Sequence, residues 1–104
     1  MKILLLCSGG FSSSLLVEKL KQAAAQKGEK LEVEATGSEA LEQEIKNYDL
    51  VLVAPQIRHR FKRLAEIAHI NQRPIALISP EIFGRLQAEK LFAQIKELLK
   101  AGEN

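Results

Sequence analysis

The 104-residue sequence contains one cysteine, Cys7, and only two histidines. One cysteine cannot form an internal disulfide, and the scattered Cys, His and carboxylate residues show no spacing typical of a zinc site. Apolar runs reach only about five residues, and no secretory signal follows Met1-Lys2. Fifteen Lys and Arg against thirteen Asp and Glu give a formal net charge of +2, too close to balance to indicate nucleic acid or an anionic membrane as a partner. These absences predict a cytoplasmic protein with neither a metal nor a cofactor.

The sequence has room for a single domain, residues 1–104, built around one core. Four strand patterns alternate with helical patterns, and the strands are predicted at 3–6, 31–35, 50–54 and 74–78. This alternation predicts an α/β fold with a parallel sheet and helices on both faces. The first and third segments are continuously apolar, which indicates central strands, whereas the second alternates apolar and polar residues as edge strands do. The predicted strand order is therefore 2-1-3-4.

Local signals mark where several helices begin and end. Gly28 suits the left-handed position after the first helix, and Ser38 suits the N-cap of a short helix. Apolar residues at helical spacing predict a third helix over about 59–71. Ser79, followed by proline, predicts another helix start, and the final helix is predicted over 88–100.

Cys7 ends the first predicted strand and precedes a glycine- and serine-rich loop. The predicted loop comprises Ser8, Gly9, Gly10, Phe11, Ser12, Ser13 and Ser14. Two glycines let the backbone turn tightly, so that its N–H groups and the positive end of the next helix converge on one spot. Such a phosphate-binding loop, or P-loop, binds anions and favours the thiolate form of a neighbouring cysteine, which makes Cys7 a candidate nucleophile toward phosphorus. An inert core cysteine is the alternative.

The predicted topology places a second loop beside Cys7. In a 2-1-3-4 sheet the chain reverses direction between strands one and three, and ligands bind beside that switch point at the carboxyl ends of the strands. Residues 55–58 follow strand three. We therefore expect this segment next to the Cys7 loop.

Residues 7–17 closely resemble the phosphorylation loop of the lactose/cellobiose family of enzyme IIB proteins of the bacterial sugar phosphotransferase system, whose pattern is roughly Cys-x-x-Gly-x-Ser-Ser/Thr-Ser-x-Leu. Residues 54–58, Ala-Pro-Gln-Ile-Arg, are similar to the family's Gly-Pro-Gln-Val-Arg segment. Phe83-Gly84, followed by 89–91, is similar to its Tyr-Gly segment. The three matches occur in the family's order, and the length, the strand order and the single nucleophilic Cys agree with the family over essentially the whole chain.

The resemblance implies a phosphocarrier with a fold like that of low-molecular-weight tyrosine phosphatases. A phosphohistidine of enzyme IIA would donate its phosphoryl group to Cys7, and the phosphocysteine would pass it to a sugar bound by the membrane permease, enzyme IIC. The sugar would be a disaccharide such as cellobiose, lactose or diacetylchitobiose, and the protein would meet the membrane only through enzyme IIC. Backbone N–H groups from Gly9 through Ser14 would hold the phosphoryl oxygens, with the Ser12 and Ser13 hydroxyls as further donors. The Ser14 hydroxyl is expected to bond back into its own helix.

Some outer positions depart from the family pattern. They are His59, Phe83, Gln87 and Ala88. Phe83 stands where the family often has Tyr and therefore has no hydroxyl. Gln56, Arg58 and Phe83 are candidate accessory residues, and Gln56 either orients a phosphate oxygen or caps the third helix. Phe11 is a candidate for partner docking, whereas His59 and His69 are expected to be ordinary surface residues.

A basic cluster follows the third strand and consists of Arg58, His59, Arg60, Lys62 and Arg63. For Arg60, Lys62 and Arg63 we expect a solvated helix face. Arg58 starts beside the loop, where it would meet either acidic groups of a partner or the incoming phosphate.

Three other functions are alternatives for a chain with this pattern. A tyrosine phosphatase of this fold carries Cys-x5-Arg, whose Arg clamps phosphate, but the residue six positions after Cys7 is Ser13, and the acid nearest the end of strand four is Glu81 rather than Asp. An arsenate reductase needs further cysteines. In a non-catalytic anion-binding module Cys7 would be structural. We hypothesise that the missing Arg suits a carrier, which must hold phosphate without promoting attack by water.

Overall fold

The computed structural model describes residues 1–8 and 11–102. The strands within these ranges are β1 Lys2–Leu6, β2 Glu32–Thr36, β3 Leu50–Val53 and β4 Ile75–Leu77. The α-helices are α1 Phe11–Gln26, α2 Leu41–Glu44, α3 Phe61–Ile70, α4 Pro80–Gly84 and α5 Ala88–Gly102. Segments of 3-10 helix occupy Ser38–Ala40, Ile45–Asn47 and Pro55–Arg60. None of the described helices has the length and apolar character needed to cross a membrane.

The four strands form one parallel sheet in the order β2-β1-β3-β4, which confirms the predicted fold class and strand order. In the centre of the sheet, Leu5 of β1 is paired with Ala35 of β2 and with Leu52 of β3. The alternating segment is an edge as predicted, because Val33 of β2 is buried while its neighbours Glu32 and Glu34 are exposed.

Both faces of the sheet are covered, so alternate residues of the central strands enter two separate cores. Ile3 and Leu5 pack with α1 and α5; the helical residues there include Leu16, Leu20, Leu91 and Phe92. Leu4 and Leu6 pack on the other face with α2 and α3, represented by Leu41, Leu64 and Ala68. The continuous apolar character of β1 and β3 follows from this burial on both sides.

Three helices end in Schellman motifs, in which a left-handed residue lets two N–H groups bond back to the last turn. The prediction for Gly28 is confirmed, since its φ is +73° and the N–H of Glu29 bonds to Ala24 O at 2.9 Å. The same bonds form around Gln72 at φ +56° and Leu86 at φ +52°, neither of which was predicted. These residues have side chains that make the left-handed conformation less favourable than it is for glycine.

Ser79 caps α4 as predicted, because its Oγ accepts a hydrogen bond of 3.1 Å from the N–H of Ile82. The N-cap prediction for Ser38 is wrong. Gly37 is the N-cap of the 3-10 turn that starts at Ser38, and no side chain caps that turn. The Ser38 hydroxyl instead accepts a hydrogen bond from Arg60. The third helix begins at Phe61 rather than near residue 59, because 3-10 structure precedes it.

Candidate active site

The backbone of Cys7 is held between two neighbouring segments at the carboxyl end of β1. The N–H of Cys7 donates to Thr36 O at 3.0 Å, and the N–H of Ala54 donates to Leu6 O at 2.8 Å. The Cys7 N–H is therefore occupied, and any anion must be bound by donors further along the chain. The thiol is free and the residue is only 6% exposed.

Cys7 nevertheless lines a cavity of about 550 Å³. Ser8, Ser13 and Ser14 contribute to the wall from the segment after β1, and residues 35–39 contribute from the end of β2 and the following turn. Ile57 and Arg60 reach the same cavity from the segment after β3. The predicted juxtaposition of the loops after strands one and three is therefore confirmed. A thiol at the edge of a polar cavity is within reach of a small group such as phosphate.

Helix α1 begins at Phe11, so its N-terminus lies close to this cavity in the chain. Ser13 is a polar residue that is only 4% exposed, whereas Ser14 and Ser8 are exposed. Gly9 and Gly10 lie outside the described residues, as do the side chains of Phe11 and Ser12. Their predicted roles in binding phosphate and in partner docking remain predictions.

Residues of the segment after β3 line several cavities, and His59 and Arg60 line one of about 500 Å³ that also includes Arg63. Ile57 has φ −117° and ψ 28°, which are not helical values, and this kink in Pro55–Arg60 accompanies its burial against the Cys7 cavity. Gln56 and Arg58 line a second cavity of about 620 Å³, together with Phe83. Phe83 is 4% exposed and packs into the core shared by α1 and α5. The three predicted accessory residues thus lie together, but in a cavity whose lining does not include Cys7.

Gln56 does not cap the third helix, because the first turns of Pro55–Arg60 and α3 have no side-chain cap. Its role toward phosphate stays a prediction. His59 and His69 are both exposed. Among the side chains that the structure describes, no three potential ligands from His, Cys, Asp and Glu come close enough to hold a metal ion.

Arg60 departs from the expectation of a freely solvated helix face. Its Nη1 donates a hydrogen bond of 2.9 Å to Ser38 Oγ, and its side chain lines the Cys7 cavity. Arg63 behaves as expected, since its side chain is 78% exposed and pairs only loosely with Glu42 at 3.9 Å. Helical spacing alone could not reveal this difference, because Arg60 lies in the 3-10 segment Pro55–Arg60, whereas Arg63 lies in α3.

The positions that distinguish this chain from a phosphatase are also visible in the structure. Ser13 stands at the cavity wall where such a phosphatase would present its arginine. Glu81 lies exposed in the first turn of α4 and is not part of the cavity lining. The cavity therefore combines a thiol with hydroxyls and lacks an Arg at the sixth position after Cys7.

Comparison with known proteins places these features in a family. Residues 2–94 match the family model described as PTS system, Lactose/Cellobiose specific IIB subunit. The oligo-beta-mannoside-specific EIIB component of Bacillus subtilis is 33% identical over 98 residues, which cover 94% of this chain and 95% of that protein. The solution structure of a cellobiose-specific IIB component from Borrelia burgdorferi is 34% identical, with a TM-score of 0.77 and coverage of 100% of this chain and 93% of that one.

A third relative joins the IIB sequence to another component. The lactose-specific EIICB component of Lactococcus lactis is 37% identical over 79 residues, which make up 76% of this chain but only 14% of that protein. All three similarities are to IIB proteins or to a protein that contains one. They do not support the term P-loop for residues 8–14.

Proposed function

This chain belongs to the lactose/cellobiose-specific IIB family of the sugar phosphotransferase system, and we propose that it carries a phosphoryl group on Cys7. The group arrives from a phosphohistidine of enzyme IIA and leaves to a sugar bound by the permease, enzyme IIC. The chain acts as a single domain over residues 1–104. It works in the cytoplasm and meets the membrane through enzyme IIC.

The observation that carries this proposal is the position of Cys7. It is the sole cysteine of the chain, it directly follows the central strand β1, and it lines a polar cavity beside the start of α1. Positive charge at a helix N-terminus favours both a thiolate and a phosphate at this place. A fixed backbone and a partly enclosed thiol suit in-line transfer, which depends mainly on positioning.

The loading step exchanges one bond to phosphorus for another. The Cys7 sulfur attacks phosphorus, so that an S–P bond forms as the P–N bond of the phosphohistidine breaks, and the thiol proton ends on the released imidazole. In the second step a sugar hydroxyl attacks phosphorus, the S–P bond breaks and the thiol is restored. No metal or redox partner is needed to balance either step.

The loop provides the electrostatic stabilisation in this proposal. N–H groups from Gly9 through Ser14 and the hydroxyls of Ser12 and Ser13 donate to the phosphoryl oxygens. The buried position of Ser13 at the cavity wall supports its part. Gln56, Arg58 and Phe83 line the neighbouring cavity and are proposed to contact a partner or the sugar rather than the sulfur.

The names of the relatives support the proposed partner and the proposed class of sugar. The EIICB relative unites a IIB sequence with a IIC component in one protein, which supports enzyme IIC as the acceptor partner. The named sugars of the relatives are oligo-beta-mannoside, cellobiose, galactose and lactose. We propose a disaccharide such as cellobiose, lactose or diacetylchitobiose, held by enzyme IIC and not by this chain.

Phosphorylation followed by intact mass spectrometry tests the proposal. The chain is incubated with a phosphohistidine donor of the enzyme IIA type, and the wild type should gain the mass of one phosphoryl group. Cys7→Ser should gain none, while His59→Gln and His69→Gln should be loaded as the wild type is. An adduct that survives Cys7→Ser would refute the phosphocysteine, and its absence from the wild type would favour a non-catalytic anion-binding module.

A further inference from the structure

The Cys7 cavity contains a cation that the loop motif does not supply. Arg60 follows β3, and its Nη1 bonds to Ser38 Oγ in the turn after β2 at 2.9 Å. Strand β1 lies between β2 and β3, so this hydrogen bond joins the segments that follow the two strands flanking Cys7. Those strands are two interstrand spacings apart, about 10 Å. A long side chain is required to bridge them, and the bridge holds the guanidinium at the cavity.

The guanidinium of Arg60 retains hydrogen-bonding capacity. Among the described side chains, ion pairs form between Arg63 and Glu42 and between Lys96 and Glu29, but none involves Arg60. One of its five N–H donors is used by Ser38, which leaves the remainder available to a ligand.

The same cavity also has an acidic group, Glu39. A Cβ at Gly37 would collide with the Glu39 carboxylate, so the side chain of Glu39 folds back over this glycine. Arg60 therefore attracts an anion near Cys7, whereas Glu39 repels it.

We propose that Arg60 is a phosphate-binding residue of this site, oriented by Ser38, and that its guanidinium binds oxygens of the phosphoryl group on Cys7. The proposal rests on the proposed function and adds to it a residue outside the loop. A planar guanidinium matches two phosphoryl oxygens at once. Arg60 makes and breaks no covalent bond; it reduces the charge repulsion that an incoming phosphoryl group meets. Its position after β3 distinguishes it from a phosphatase arginine, whose place is taken by Ser13.

Alkylation of Cys7 tests the proposal without any phosphoryl donor. Iodoacetate is an anion and iodoacetamide is neutral, yet both react with the same thiolate, form one S–C bond and release iodide. Because Cys7 is the sole cysteine, the whole signal comes from it. The ratio of the two rate constants cancels any change in the thiol pKa and reports the charge near sulfur.

Arg60→Gln should lower the iodoacetate-to-iodoacetamide ratio about fivefold, the effect of one unit charge at contact distance in water. Arg60→Lys should keep most of the ratio, Ser38→Ala should lower it partly, and Glu39→Gln should raise it. Arg63→Gln is the matched control, because Arg63 lies outside the Cys7 cavity. At about 1 M salt, the iodoacetate-to-iodoacetamide ratio of the wild type should approach that of Arg60→Gln, because salt screens the charge.

The alkylation ratio and the loading reaction distinguish failure of the proposed function from failure of the role proposed for Arg60. With the phosphohistidine donor, Arg60→Gln should load Cys7 about fivefold more slowly than the wild type, and Arg63→Gln should load normally. If the wild type is not loaded at all, the proposed function fails while the alkylation ratio still reports on Arg60. An Arg60→Gln ratio equal to that of the wild type, or an equal decrease in Arg63→Gln, would overturn the proposal.

Discussion

At the amino end of the sheet polar side chains bind the backbone, whereas at the carboxyl end they line an open cavity. Asp49 Oδ2 at the amino end accepts a hydrogen bond of 2.9 Å from the N–H of Lys2. Arg73 donates to three backbone carbonyls, those of Tyr48 at 2.8 Å, Asn71 at 3.1 Å and Lys46 at 3.5 Å. These contacts connect the segments that lead into β1, β3 and β4.

The carboxyl end has an arginine in a different situation. Arg60 bonds to one hydroxyl, that of Ser38, and lines both the cavity of Cys7 and a neighbouring cavity that includes Arg63. Arg73 uses its donors within the fold, while Arg60 keeps donors for a ligand. The two arginines have the same chemical type but different roles. Their hydrogen-bond partners distinguish those roles. Substitutions at the two ends should therefore affect different measurements.

The largest effect is expected from placing an arginine at the sixth position after Cys7. In Ser13→Arg the guanidinium would enter the cavity wall next to the phosphoryl group and stabilise the attack of water. We expect hydrolysis of the phosphocysteine to become about 100-fold faster. The decay of the phosphorylated mass over time measures this rate.

Ser14→Arg is the matched control for Ser13→Arg, because Ser14 lines the same cavity but is exposed. Its phosphocysteine should decay no more than a few times faster than that of the wild type, by the screening of exposed charges. A loaded Ser13→Arg protein whose phosphate is lost at the wild-type rate would contradict the hypothesis that the missing arginine suits a carrier.

At the amino end, Arg73→Met should reduce stability without affecting the chemistry. The substitution removes hydrogen bonds from a charged donor to three backbone carbonyls, two of them in partly buried contacts, so we expect the free energy of unfolding to fall by about 2 kcal/mol. Urea denaturation at neutral pH measures the change. Arg85→Met, at an exposed position, should alter stability far less, and loading of Cys7 should be normal in both. Slower loading of Cys7 in folded Arg73→Met would contradict the view that the amino end of the sheet affects stability but not the chemistry.

The smallest effect concerns Tyr48, the only tyrosine of the chain. Burial, followed by the charges of Glu34, Glu44 and Glu32, raises its pKa above the ordinary value of 10.0. Between that value and the higher folded pKa, the folded chain holds a proton that the unfolded chain has released. Stability therefore falls as the pH rises through this window.

Tyr48→Phe removes this proton, so its free energy of unfolding should fall less steeply above about pH 10 than that of the wild type. Urea denaturation at several alkaline pH values measures both slopes. Parallel slopes would show that the environment of Tyr48 does not couple to folding, and the loading of Cys7 should be the same in both proteins.

The fold was predictable because its main signals are local and agree with one another. Continuous apolar segments identify β1 and β3 as central, and alternation identifies β2 as an edge. Gly28 indicates a helix end because glycine favours the left-handed conformation. Gln72 and Leu86 adopt the same conformation, but their residue types do not predict it. Both residues form Schellman motifs through backbone hydrogen bonds, which their residue types do not indicate.

The sequence predicted which loops meet at the carboxyl ends of the strands. It did not predict which side chains of those loops line the cavity. Cys7 and the segment after β3 were expected to meet, and they do. The sequence did not predict that Ile57 is kinked, that Arg60 rather than Arg58 lines the Cys7 cavity, or that Ser38 accepts a hydrogen bond from Arg60. Each depends on backbone dihedral angles or on a contact between residues distant in the sequence.

Phosphorus NMR of the loaded protein tests the central claim most directly, because S-, N- and O-linked phosphoryl groups have different chemical shifts. We expect one protein-bound signal with the shift of an S-linked group, absent from Cys7→Ala and present in Arg73→Met. A signal from an N- or O-linked group, or an S-type signal that persists in Cys7→Ala, would contradict it.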